Sequence, residues 1–237
     1  MGHGWEGAVL KLLRAKDFTF TVTGATPITE HYRRLTFTDG GLLADLPGHP
    51  TMWVRLWFDD GGRPHQRGYT LVDPDREAGT FAIEFALHNG VASDWSRRAE
   101  PGDTIQATVY GTGFEPLGPE PERLLLVGDA ASLPAVNSLL DAFPDTPATI
   151  WFETAGDEGL PYRTTDRHDL RLVPRVADGE ALVSRVREEL PGLAPEPALA
   201  YLWIAVEARS TRALSAFARK EVGFPKHRMH AMAYWRS

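Results

Sequence analysis

The sequence predicts a β + α/β protein, a six-stranded antiparallel barrel followed by a mainly parallel α/β domain, and three observations carry that prediction. Apolar and polar residues alternate with period two through the first half, as half-buried strands require. Residues 115–121 then interrupt the pattern with Pro116, Pro119 and Pro121 among Glu115, Gly118 and Glu120, a composition that breaks both strands and helices. Beyond this break, apolar runs of strand length alternate with helical patterns, the rhythm of a parallel sheet covered on both faces. The boundary falls at the break, which gives domains at 1–118 and 119–237.

In chain order, residues 5–16 read as a short amphipathic helix ahead of the barrel. Strands are expected at 18–22, 35–37, 52–58, 69–72, 81–88 and 105–110, separated by turns such as Asp39-Gly40-Gly41, Asp59-Asp60-Gly61-Gly62 and Pro101-Gly102-Asp103. One helix, at 91–98, interrupts them. In the second domain, 123–127, 148–152, 170–173 and 201–206 are buried-strand candidates. Leu133 opens a helix to 143 with Pro134 tolerated in its first turn. Leu182, Val183, Val186 and Leu190 mark a second helix with Asp178 as its cap. Leu214, Phe217 and Ala218 mark a third that stops at Gly223. Residues 191–197 read as a loop, and 229–235 as a closing strand.

Composition removes several chemistries. The chain of 237 residues has no cysteine, which excludes disulfides, thiol nucleophiles, Cys-ligated iron–sulfur clusters and Cys-type zinc sites. Redox chemistry would therefore need a bound organic cofactor. The net charge of −7 provides no global field for nucleic acid or acidic membranes. No apolar run is long enough for a membrane span, and the first residues lack a signal peptide's apolar core, so a cytoplasmic location is the expectation. His227 and His230 lack a third ligand nearby, and no metal site is expected.

Two segments carry chemistry. Arg67-Gly68-Tyr69-Thr70 ends a strand with a cation that can neutralise phosphate, an aromatic ring and a hydroxyl. After one more strand, His88-Asn89-Gly90-Val91-Ala92-Ser93-Asp94-Trp95 forms a glycine-marked turn into a helix. The amides of Val91, Ala92 and Ser93 stand unpaired at that helix start, where donors and dipole both favour a pyrophosphate. Together they are what a barrel needs to hold a flavin dinucleotide. In the second domain, Leu126-Val127-Gly128-Asp129 leads through Ser132 into a helix, placing helix-start amides at the carboxyl end of a sheet. The glycine spacing does not match the G-x-G-x-x-G fingerprint. Trp53, Arg55 and Trp57 share a strand face able to stack on an aromatic ligand.

This ordered set resembles the siderophore-interacting proteins, flavin-dependent ferric-siderophore reductases related in fold to ferredoxin-NADP reductases. Arg-x-Tyr-Thr, a strand ending in Leu-His, Gly-x-Ala-Ser-x-Trp, Pro-Gly-Asp, Leu-x-x-Gly-Asp-x-x-x-Leu-Pro-Ala and Tyr-Trp-Arg carry the likeness. The resemblance implies that FAD meets Arg67, Tyr69, Thr70, Phe85, His88, Gly90, Val91, Ala92 and Ser93. It implies that NAD(P)H meets Gly128, Asp129, Glu207 and Trp235, and that Arg55 and Arg236 hold a ferric siderophore or another small anionic chelate. No catalytic acid or base is implied. The chain differs where Leu71 and Val72 replace an arginine shortly after the threonine, and where Val91, Ala130-Ala131 and Val206 replace Pro, Glu-Thr and Gly. The expected activity is electron transfer from NAD(P)H through FAD to a ferric siderophore. Alternatives are a reductase of the same fold with another acceptor, or a non-catalytic flavin- or siderophore-binding protein.

Overall fold

The computed structural model describes residues 16–115, 117–156 and 159–236, so most of the helix expected at 5–16 lies outside the described residues. The chain divides after Phe114 into two compact units, each with its own apolar core.

The first unit is a seven-stranded antiparallel sheet in the order β4-β3-β7-β1-β2-β6-β5. The strands are β1 (Lys16–Thr29), β2 (Tyr32–Thr38), β3 (Trp53–Asp60), β4 (Arg63–Thr70), β5 (Val72–Asp75), β6 (Thr80–Ala86) and β7 (Thr104–Val109). Alternation works as expected: Phe18, Phe20 and Val22 of β1 and Leu35 and Phe37 of β2 are buried, while Thr19 and Thr36 between them face solvent. Phe20 packs edge-on against Phe81 at 4.8 Å, and Phe37 stacks on Phe81 at 5.5 Å. Two short helices, α1 (Leu42–Asp45) and α2 (Val91–Arg98), complete the unit.

The strand count corrects the expected six. The run read as a single strand at 69–72 is a corner, because Tyr69 pairs with Val54 of β3 and Val72 pairs with Ala82 of β6. Leu71 lies between, its N–H donating to Met52 O at 2.8 Å, and Asp73 follows with φ 48°. Since β4 and β5 are the two outer strands of the order and a single residue joins them, the sheet must curl until its edges approach. The polar first half of β4, Arg63 to Gln66, has no apolar alternation to betray it.

The second unit is a five-stranded parallel sheet in the order β10-β9-β8-β11-β12. Its strands are β8 (Arg123–Asp129), β9 (Ala148–Thr154), β10 (His168–Pro174), β11 (Ala200–Ile204) and β12 (Met229–Ala231). Helices α3 (Leu133–Ala142), α4 (Glu180–Leu193) and α5 (Ala208–Phe217) make the crossovers. Gly128 is required where α3 approaches β8, since a Cβ there would stand 2.9 Å from Ser132 Oγ and 3.0 Å from Val136 Cγ2. The order reverses between β8 and β11, and the carboxyl ends of those strands form the topological switch point at which open sheets bind ligands.

Three further expectations are corrected. Asp178 does not cap α4: it sits at φ 55° in a 3-10 turn, and Gly179, at φ 94°, is the N-cap. Pro191 lies within the last turn of α4 rather than in a loop, a position where only one intrahelical bond is lost. The closing strand ends at Ala231, and beyond it an isolated parallel bridge joins Trp235 to Glu207.

Candidate functional site

In the first unit, four aromatic rings tie the predicted segments together. Tyr69 on β4 lies 4.6 Å from Phe85 on β6 and 6.3 Å from Phe58 on β3. Trp95 of α2 meets Phe58 at 5.7 Å and Phe85 at 6.2 Å. The start of α2 is thus fastened beside the Arg-Tyr-Thr strand through its own tryptophan, each such pair adding about 0.5–1.5 kcal/mol beyond area burial. Burial pushes the Tyr69 hydroxyl pKa well above its ordinary value, so the ring serves as a neutral platform. Thr70 and Phe85 are buried.

Arg67 is exposed on the same strand face as Tyr69, and its guanidinium donates to Gln66 O at 2.9 Å. Among the described residues no carboxylate pairs with it. His88 is exposed, with Ser93 Oγ accepting its N–H at 3.1 Å, and Arg97 donates to its carbonyl at 3.2 Å. Gly90 precedes α2 at φ 152° and ψ 160°, a conformation that side chains strain to adopt. No side chain caps α2, which leaves its first amides, those of Val91, Ala92 and Ser93, to an external acceptor. An unneutralised cation, an aromatic platform and an uncapped helix start fit a flavin dinucleotide.

Arg55 is half-buried on β3, stacked 4.3 Å over the ring of Trp53 and donating to Tyr110 O at 2.5 Å. Burial lowers its pKa. Trp57 turns instead to β7, its indole N–H donating to Thr108 Oγ1 at 2.8 Å. The expected aromatic trio is therefore an arginine–tryptophan pair. Arg236 is exposed.

In the second unit, Gly128, Asp129, Glu207 and Trp235 gather at the carboxyl ends of β8 and β11, joined by Arg175 and by Glu153, which the sequence left unmarked. Asp129 is buried, its Oδ1 accepting from the amides of Ala131 (3.0 Å) and Ser132 (3.2 Å) and its Oδ2 from the indole N–H of Trp235 (2.7 Å). Arg175 lies 4.5 Å over the Trp235 ring and donates to Glu153 Oε2 at 2.7 Å. Glu207 caps α5, accepting from Arg209 N at 2.5 Å and Ser210 N at 3.3 Å. The start of α5 thus holds the chain's own carboxylate, where a nucleotide phosphate would otherwise find donors, whereas Asp129 engages the turn amides ahead of α3, whose own start no described side chain caps. Glu153 was discoverable as an acid ending an apolar strand; Arg175, with Arg163 and Arg167, is one of three loop arginines that the sequence alone allows to approach a 2′-phosphate or to meet water. Arg163 pairs with Asp141 near the end of α3.

Residues 19–109 match the model of the siderophore-interacting FAD-binding domain, and residues 121–237 match that of the siderophore-interacting protein. The chain belongs to the siderophore-interacting protein family. Its first unit is the family's FAD-binding domain. The chain is 34% identical to the mycobactin import ATP-binding/permease protein IrtA of Mycolicibacterium thermoresistibile, over 99% of this chain and 26% of that protein. It therefore spans about a quarter of the length of that curated relative. It is 22% identical to the ferric vibriobactin reductase ViuB of Vibrio cholerae, over 73% of this chain and 65% of that one. Among solved structures, the siderophore-interacting protein SipS from Aeromonas hydrophila superposes with a TM-score of 0.78 at 23% identity, covering 93% of this chain and 92% of that one. A ferredoxin NADP+ reductase from Neisseria gonorrhoeae, with bound FAD and NADP, gives 0.69 at 14% identity, covering 93% and 99%. These likenesses support the fold.

Proposed function

We propose that this chain is an FAD-dependent reductase, residues up to about 118 holding the flavin and the remainder receiving NAD(P)H, with a ferric siderophore as electron acceptor. The observation that carries the reading is the aromatic tie between the Arg67-Tyr69-Thr70 strand and the uncapped start of α2. ViuB's description as a ferric vibriobactin reductase supports the acceptor class. Flavin, when bound, supplies the conversion of a two-electron hydride into the single electrons that ferric iron accepts. One reduced nicotinamide thereby reduces two ferric ions and releases one proton, and hard oxygen ligands hold the ferrous product less tightly.

The chain's own residues contribute binding and placement. Arg67 and the α2 amides neutralise pyrophosphate, Tyr69 supports the ring, and Trp235 with Arg175 offers the donor an aromatic and cationic surface. Arg55 and Arg236 supply charge for an anionic chelate. No described helix is long and apolar enough to cross a membrane, and the proposal includes neither a nucleic-acid partner nor a metal held by protein side chains.

The test is an absorption spectrum of the purified protein before and after anaerobic addition of NADH or NADPH. Flavin bands that bleach are the expected result, and colourless protein that cannot be reconstituted with FAD overturns the reading. A second reading, a flavoprotein that binds a siderophore without accepting a nicotinamide donor, is favoured by the carboxylate of Glu207 that fills the start of α5 in the second unit. Persistent flavin colour under both donors would select it. Arg55→Glu should keep its flavin content while turnover of an anionic ferric chelate falls about 10-fold or more at low salt. Equal turnover removes Arg55 from the site.

A further inference from the structure

The carboxyl edge of the second unit contains one side-chain arrangement that neither phosphate recognition nor core packing accounts for. Trp235 lies beyond the last strand, yet its position is fixed from three directions. Its backbone is held by Ala208 N–H donating to Trp235 O at 3.0 Å and Tyr234 N–H donating to Val206 O at 3.1 Å. Its ring carries Arg175 on one face, and its N–H is taken by Asp129. Arg175 is in turn held by Glu153. The indole therefore lies across the edge where the topology places a ligand.

Both oxygens of Asp129 are already engaged by the protein's own donors. Each of its two oxygens faces N–H donors, backbone amides on Oδ1 and the indole on Oδ2. The ionised carboxylate, being acceptor-only, satisfies this arrangement best; a protonated carboxyl gives up acceptor capacity to its O–H and holds the indole N–H more weakly. An asparagine has the same defect, with an amide NH₂ in place of one acceptor.

We propose that Asp129 is a positioning residue whose ionised carboxylate latches the indole of Trp235 across the carboxyl edge of the sheet, so that the ring is presented to a nicotinamide donor in one orientation. The link to the donor rests on the reductase reading; the latch itself does not. Protonation of Asp129 releases the ring. Burial, the largest influence, lifts the Asp129 pKa to about 6, with Glu153 adding to the rise and the bonds from Trp235, Ser132 and Ala131 opposing it. The other charged groups around this edge are Arg175, which holds Glu153 below where burial alone would put it, and Glu207, which pushes Glu153 up. The latch is therefore closed above about pH 6 and opens as pH falls through that value.

The test reads the indole directly, in nitrogen–proton spectra of the full-length protein between about pH 4 and about pH 8. The Trp235 resonance is identified by its loss in Trp235→Phe. It should shift with a midpoint near pH 6, and in Asp129→Asn it should stay near its low-pH position throughout. A Trp235 resonance that does not move with pH in the unmutated protein overturns the proposal, and that arm survives if Asp129→Asn fails to fold. In a second arm, NADH and NADPH are titrated against each variant. Asp129→Asn and Trp235→Phe should each weaken binding roughly 5- to 10-fold, with no further loss in the double variant. Fully additive losses overturn the coupling. A titrating indole in a protein that binds neither dinucleotide upholds the latch and removes the donor reading instead.

Discussion

At the scale of single residues, Arg67 and Asp129 are opposite cases. Arg67 is an exposed cation with no carboxylate partner among the described residues, and its immediate neighbours on β4 are Gln66 and Gly68. Such a group costs little to leave solvated and gains when an anion arrives. Charge-assisted hydrogen bonds contribute about 1.5–3 kcal/mol each, so Arg67→Ala should weaken FAD binding roughly 10- to 100-fold. Fluorescence titration of the cofactor-free protein measures this, and unchanged affinity would place the phosphate elsewhere. Asp129 stood in the sequence as a donor-binding residue, but its oxygens are committed internally. The Gly-Asp-x-x-Ser spacing hints at a local turn, since Asp side chains often accept from the amide two residues on. The bond to Trp235 spans 106 positions, and no local pattern announces it.

At the scale of elements, α2 was legible to the residue because a glycine, an amphipathic octet and a terminal arginine pair all agree. The β8–α3 turn was legible as strand, turn and helix, but the function of its glycine was not. Gly128 lets α3 lie close against β8, where a Cβ would crowd Ser132 and Val136. Gly128→Ala should destabilise the second unit by about 1–3 kcal/mol while leaving the flavin spectrum intact. Chemical denaturation followed beside flavin absorbance checks both halves of that statement, and loss of flavin with the same substitution would contradict it. The missed strand boundary at Leu71 has a different origin. Strand-forming residues continue through Tyr69 to Val72, and a change of pairing partner, invisible to periodicity, divides β4 from β5.

At the scale of the whole molecule, two rhythms in the sequence became two cores, period-two packing in the first unit and strand–helix packing in the second. What could not be read was everything that depends on distant parts of the chain meeting. The curl of the first sheet, the bond from Trp235 to Asp129 and the stacking of Arg175 on Trp235 are of this kind. Chemistry-bearing residue types can be recognised locally, whereas their mutual satisfaction is a property of the folded state.

The corner at Leu71 ties cofactor to architecture. The strand that offers Arg67 and Tyr69 is an outer strand of its sheet, and one residue later the same chain becomes the opposite outer strand. An occupant gripped there would act as a clasp on a seam. Without FAD, amides of β4 and β5 should exchange with deuterium ahead of those in β1 and β2, and cofactor should slow the seam selectively. Uniform protection across all seven strands would mean that the occupant stiffens the unit without fastening it.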